Sequence, residues 1–192
     1  MPIHHPPRPG DVVGILRPYL QGSLHRSHRA REAGLRGDGK VRVEVSSPHA
    51  CYFVGLAGVA GGVPLQQAKP SAWRSLVFVG ERAVADARMV AKGDALAFAA
   101  LHHGPMAESA VEVLRRAEAR DDVRRHVYEL RYLEIPALHF AGVWLHPLHP
   151  GEGEDLIHPT DPTPSHVAPR GWYTEHELRE RLRPLAANQA AG

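Results

Sequence analysis

The sequence predicts an α+β fold, in which a single domain packs a mostly antiparallel sheet against one central amphipathic helix, with short helices near its ends. Two patterns support this prediction. Several short segments alternate apolar and polar residues, as half-buried strands do, and residues 104–120 repeat apolar residues at helical spacing. A helix laid on a sheet covers the apolar surfaces of both elements.

The chain length fits one domain. A chain of 192 residues, 43% hydrophobic and 23% charged, can bury one core of ordinary size. We expect a proline-rich arm over residues 1–10, a single domain over 11–187 and a short tail over 188–192. Within the domain, residues 147–171 contain six prolines, which predicts a long loop rich in proline, histidine and acid.

The first part of the chain predicts two short helices followed by three strands. Asp11 is placed to cap a helix that continues through Tyr19, and a second helical segment runs from Ser23 to Ala33, before Gly34. The strand segments either alternate in polarity or are rich in β-branched and aromatic residues: Lys40–Ser46, Ala50–Ala57 and Trp73–Val79.

Residues 81–101 are compatible with two structures. Their alanines favour a helix by intrinsic propensity. However, the turn signal Lys92-Gly93-Asp94 separates two similar apolar stretches, which favours a hairpin. We adopt the hairpin.

The central helix is the clearest element of the sequence. It should begin at Gly104-Pro105, because proline suits the first turn of a helix, and end near Arg120. One stripe of its surface is apolar and consists of Met106, Ala110, Val113, Leu114 and Ala117.

The remaining chain predicts two strands, the long loop and a closing helix. His126–Glu134 alternates in polarity, whereas Leu138–Leu145 is almost wholly apolar and predicts a strand buried on both faces. Pro136 separates these strands, as either a tight turn or a bend. Thr174 and Glu177 have the spacing of a capping box, so the closing helix should begin there.

Composition narrows the function classes. A net charge of only +2 disfavours a general nucleic-acid binder, and 20 arginines beside three lysines are typical of a GC-rich bacterial genome. The single cysteine, Cys51, excludes an internal disulfide, and its apolar neighbours indicate a buried, inert thiol. The first residues lack the hydrophobic segment expected of a signal peptide, and no apolar run reaches the roughly 20 residues that span a membrane. We therefore expect a cytoplasmic protein with no membrane partner.

Histidine is over-represented, with 14 residues in the chain. Imidazole is the commonest metal ligand in proteins, and zinc takes three or four nitrogen or carboxylate ligands near a tetrahedron. In the alternative interpretation, these side chains only decorate a solvated loop. No cofactor is assured, but a divalent metal, with zinc as first choice, would have four candidate ligands: His146, His149, Asp155 and His158.

Two further segments, one basic and one a pair of histidines, carry weaker hypotheses. Arg26, Arg29 and Arg31 lie in the only basic cluster and would reach phosphate or an acidic partner, although a solvated helix face explains them as well. His102 and His103 precede the central helix, where an imidazole would act as a general base or contact an anion, or would simply form a polar joint.

Two further patterns favour structural roles. The glycine-rich segment 55–62 lacks the spacing of a nucleotide-binding motif and predicts a hairpin or a bulge. His139 is expected to be a buried core residue, facing away from His146 on the same strand.

These observations favour binding over catalysis, since no catalytic motif is present. We expect a non-catalytic protein-binding or self-assembling module whose partner is another protein or a second copy. Tryptophan is enriched at interface hot spots, so the candidate anchors are Trp73, Trp144 and Trp172. A metal-binding protein or metal-dependent hydrolase using residues 146–158 is the alternative. Nucleic-acid contact through residues 25–31 is the weakest hypothesis.

Overall fold

The computed structural model describes residues 3–4, 10–35, 42–93 and 95–191. Within these ranges the chain forms one ten-stranded sheet and six α-helices. The strands are β1 (Ile3–His4), β2 (Val43–Val45), β3 (His49–Phe53), β4 (Pro70–Val79), β5 (Arg82–Lys92), β6 (Ala95–His102), β7 (Tyr128–Ile135), β8 (Phe140–Pro147), β9 (Leu156–Pro159) and β10 (Tyr173–Thr174). The helices are α1 (Val12–Arg26), α2 (His28–Glu32), α3 (Leu56–Ala60), α4 (Pro105–Glu118), α5 (Asp121–Arg125) and α6 (Glu175–Ala191).

The sheet is mostly antiparallel, as predicted. Its strands follow the order β10-β9-β8-β7-β3-β4-β5-β6, and the parallel pairs are β3 with β7 and β1 with β7. β1 pairs with the start of β7, and β2 pairs with the end of β4. In both cases the paired residues are ones that do not pair with β3. The outer strands of this order are β10, with two residues, and β6, with eight.

Helices cover both faces of the sheet. Val143 packs in a core cluster with Val113 of α4, whereas its neighbour Trp144 packs in another with Leu178 and Leu182 of α6. Because successive strand residues point to opposite faces, α4 and α6 lie on opposite sides of the sheet. Helices α1 and α2 pack on β4, β5 and β6 in a third cluster. The expectation of one central helix is therefore too simple, since the sheet dominates the fold.

The predicted stripe of α4 and the predicted cap of α6 are both confirmed. Ala110, Val113 and Ala117 are buried against the sheet. At the start of α6 the Glu177 amide donates to Thr174 Oγ1 at 3.2 Å, and the Thr174 amide donates to Glu177 Oε2 at 2.8 Å. Local sequence signals therefore fix where both helices begin.

Several boundaries in the first half differ from the prediction. Asp11 caps α1 as expected, by accepting from the Gly14 amide at 2.9 Å, but the helix continues through the exposed Pro18 to Arg26. It takes in the start of the second predicted segment, whose later residues form the separate helix α2. The glycine-rich segment contains the short helix α3 instead of a hairpin or bulge. The hairpin over residues 81–101 is confirmed as β5 and β6. Residues 40 and 41 of the predicted strand, and Asp94 of the turn, lie outside the described residues.

The second half contains three corrections. His139 is not a core residue: it is exposed in a left-handed turn (φ 51°) between β7 and β8. The loop over 147–171 is interrupted by β9, which pairs with β8. The tail beginning at residue 188 continues α6 as far as Ala191. Among the described helices, none combines the length and the apolar character needed to cross a membrane.

Candidate functional site

A buried carboxylate and a histidine form a hydrogen-bonded pair near the end of β8. Asp155 is 7% exposed and precedes β9, beside the end of β8. Its Oδ1 accepts from Trp144 Nε1 at 2.5 Å and lies 2.7 Å from His146 Nδ1. Trp144 and His146 are two residues apart on β8, so both side chains point to the α6 face and reach the same carboxylate.

A glutamine links this pair to the start of α6. Gln66 Nε2 donates to Asp155 Oδ2 at 2.7 Å and to Glu175 Oε2 at 2.6 Å, while the Leu65 amide donates to Glu175 Oε1 at 2.8 Å. Burial raises the pKa of Asp155, but hydrogen bonds from His146, Trp144 and Gln66 outweigh it and hold the pKa below its ordinary value. The carboxylate is therefore ionised and fixes His146 with Nδ1 as the donor and Nε2 available to a ligand.

The other candidate metal ligands do not join this pair. His158 pairs with Val143, which faces α4, so its ring lies on the opposite side of the sheet from His146. There its Nδ1 donates to the Pro159 carbonyl at 2.7 Å, and burial lowers its pKa. His149 is exposed in the turn after β8. Across the described ranges, no three His, Cys, Asp or Glu side chains are grouped to hold a metal.

The three tryptophans differ in their access to a partner. Trp144 is fully buried and makes the Asp155 hydrogen bond, so a partner does not reach it in this structure. Trp73 is half-buried where two core clusters meet. Trp172 is half-buried between the His158 ring and the guanidinium of Arg120.

The basic cluster borders a cavity of about 600 Å³. Arg26 and Arg29 lie on its wall, while Arg31 is exposed on α2 and is absent from the lining. His103, from the joint between β6 and α4, reaches the same cavity. The structure thus brings two segments together that are about 75 residues apart in the sequence, which no local pattern could indicate.

A buried ion pair beneath α4 has no counterpart in the sequence predictions. Arg74 and Asp86 are 0% and 2% exposed, and Arg74 Nε lies 3.4 Å from Asp86 Oδ1. The guanidinium stacks on the Tyr132 ring, 3.9 Å from its centroid, yet its nitrogens make no hydrogen bond within the described chain. Nearby, burial raises the pKa of Cys51 to about 12, so this thiol stays protonated, in agreement with the predicted inert role.

The outer edge of β6 is a further candidate, made of backbone groups. β6 pairs with β5 and ends the strand order of the described sheet. From Ala95 through Leu101 it contains no charged residue and no proline. Unpaired amides and carbonyls along such an edge can bind another strand.

Comparison with known proteins assigns none of these features. The sequence matches no family model and no curated protein, and the fold matches no solved structure. Functional inference therefore rests on the geometry of the described residues alone.

Proposed function

We propose that the protein is a non-catalytic, self-associating module in which β6 of one copy pairs with β6 of a second. The observation that carries this proposal is the contrast between the two ends of the sheet. β10 has two residues and leads directly into α6, whereas β6 presents eight residues with an uncharged edge. Natural edge strands are usually shortened, covered, or given charges or proline to prevent pairing. From Ala95 through Leu101, β6 has neither charge nor proline, and the device it does contain is one bulge.

A second copy suits this edge because two-fold symmetry requires a strand that complements itself. A two-fold axis perpendicular to the sheet makes the paired strands antiparallel and keeps equivalent faces on one side. Phe98 stacks on Tyr19 of α1 with ring centroids 3.9 Å apart, and Tyr19 is 46% exposed. The aromatic pairs of two copies would lie side by side above the joined sheet, where each covers exposed ring surface of the other.

A bulge identifies the part of the edge best suited to pairing. Met89 pairs with Phe98 and Arg88 with Ala100, so Ala99 is the extra residue of the bulge. The regular part of the free edge is therefore Ala95–Phe98. Ala95 begins this part and Ala99 follows it, and both are exposed, so lysines there add charge to the edge without entering the core.

Size-exclusion chromatography with light scattering tests the proposal, in reducing buffer that matches the cytoplasmic setting we propose. We expect a dimer whose dissociation constant rises at least about tenfold in Ala95→Lys/Ala99→Lys, because like charges meet across the paired strands. The matched control is Ala57→Lys/Ala187→Lys, with two exposed alanines on α3 and α6. A monomer at all concentrations up to about 1 mM, or equal dissociation in both variants, would contradict it.

The His146–Asp155 pair favours a second candidate function, namely a metal-binding protein or metal-dependent hydrolase. A carboxylate that fixes one imidazole nitrogen leaves the other as one metal ligand, and a zinc site there would need at least two further protein ligands. Elemental analysis of untagged protein tests this candidate. Stoichiometric zinc that is lost in His146→Ala but kept in His139→Ala would support it, and protein purified with zinc that retains none would refute it.

A further inference from the structure

The cavity beside the basic cluster is lined mainly by basic and hydroxyl side chains. Its volume is about 600 Å³, and it lies between the end of α1, the start of α2 and the end of β6. One wall is the apolar side chain of Leu101. The other lining side chains are all hydroxyl or basic groups: Ser23, Arg26, Ser27, His28, Arg29 and His103.

The nearby acids neutralise only part of this positive charge. Glu108 forms ion pairs with both Arg29 and Arg82, so one negative charge is shared between two positive charges. Glu32 lies 3.4 Å from the His28 ring. Arg26 is exposed and has no acidic partner among the described residues. A net positive potential therefore remains at the cavity when both histidines are neutral.

The start of α4 adds to this potential. α4 has 14 residues and begins two positions after His103, and its N-cap residue, Gly104, offers no side chain to the first amides. The amino end of a helix carries partial positive charge that favours a nearby anion. This end is a secondary contribution, because the cavity and its arginines define the site.

We infer that this cavity binds a small ligand that carries phosphate groups. Arginine forms forked hydrogen bonds that match phosphate oxygens, and serine hydroxyls donate further ones. A cavity of this size is larger than a single inorganic phosphate requires, and Leu101 provides an apolar contact for an organic part of the ligand. A nucleic-acid strand fits this site less well, because the cationic side chains surround one cavity and do not form an extended row along the surface.

Isothermal titration calorimetry with inorganic triphosphate and inorganic phosphate tests this site at about 0.15 M salt, where weak surface attraction is screened. We expect triphosphate to bind more tightly than phosphate, and Arg26→Gln to weaken triphosphate binding by about tenfold or more. The matched control is Arg183→Gln. Arg183 is exposed on α6 and has no ion pair in the described chain, so this variant should bind triphosphate as the wild type does.

Three outcomes would overturn the inference. The first is no heat of binding at millimolar triphosphate. The second is an equal loss in Arg26→Gln and Arg183→Gln, which would indicate an effect of net charge only. The third is that a single-stranded oligonucleotide binds and triphosphate does not displace it, which would assign the surface to nucleic acid. Circular dichroism of each variant verifies the fold, and none of these outcomes depends on whether β6 pairs with a second copy.

Discussion

At the scale of single residues, Asp155 joins three side chains from separate parts of the described structure. It accepts hydrogen bonds from β8 through Trp144 and His146, and from Gln66, which also binds Glu175 at the start of α6. The sequence indicated that His146 and Asp155 belong to one cluster. It assigned Trp144 to a partner interface instead, and it did not indicate Gln66, because a donor 89 residues distant in the chain leaves no local pattern.

Asp155→Asn should destabilise the protein by about 1–3 kcal/mol, because the amide has the same size but cannot accept from all three donors. Urea unfolding at neutral pH measures this difference. Glu154→Gln is the matched control, since Glu154 is the exposed neighbour and should change stability by less than about 0.5 kcal/mol. Equal stability of the two variants would show that the network contributes little.

The effect of Asp155 should depend on pH in a definite direction. A carboxyl group whose folded-state pKa is depressed contributes stability that is complete above its ordinary pKa of 3.8 and is lost as pH falls through the folded-state pKa. The stability difference between wild type and Asp155→Asn should therefore be constant near neutrality and shrink below that value. Urea unfolding at a series of acidic pH values measures it. A stability difference between wild type and Asp155→Asn that grows as pH falls would contradict the expected direction.

At the scale of elements, local signals predicted those features that neighbouring residues determine. The β5–β6 hairpin and the start of α4 follow from contiguous residues with a turn or a proline at a fixed position. α3 was missed because glycine disfavours helices by about 1 kcal/mol per residue, yet Leu56 and Val59 of this segment pack in the core cluster that contains Leu182 of α6. Tertiary packing overrides the local preference there.

The Arg74–Asp86 pair joins β4 to β5 beneath α4, and its burial follows from which face α4 covers. We expect Arg74→Met to cost about 3–5 kcal/mol, because it leaves Asp86 as an unpaired buried charge. The double variant Arg74→Met/Asp86→Leu should recover part of that loss, because no charge remains in the core. Urea unfolding of wild type, both single variants and the double variant measures the coupling.

An exposed arginine provides the comparison for this pair. Arg82 is 44% exposed and forms an ion pair with Glu108. Arg82→Met should therefore lower the free energy of unfolding by no more than about 1 kcal/mol. If the double variant at Arg74 and Asp86 lost the full sum of its single losses, the two charges would act independently and the proposed coupling would be refuted.

At the scale of the whole molecule, the order of strands was beyond the sequence. The parallel pairing of β3 with β7 joins segments about 80 residues apart, and alternation along a strand says which face is apolar but not which strand lies beside it. The resulting topology leaves β10 short and followed by a helix, and leaves β6 as the long outer strand. The proposed self-association therefore depends on the assembled sheet and cannot be inferred from any one segment.

Amide hydrogen exchange along β6, compared at low and high protein concentration, tests this account most directly. If two copies pair through β6, the amides of Ala95–Phe98 that point away from β5 should exchange more slowly as concentration rises. The amides at the exposed turns around Gly61 and Gly151 should not change. Exchange along β6 that is independent of concentration, or protection that appears elsewhere, would contradict the proposed assembly.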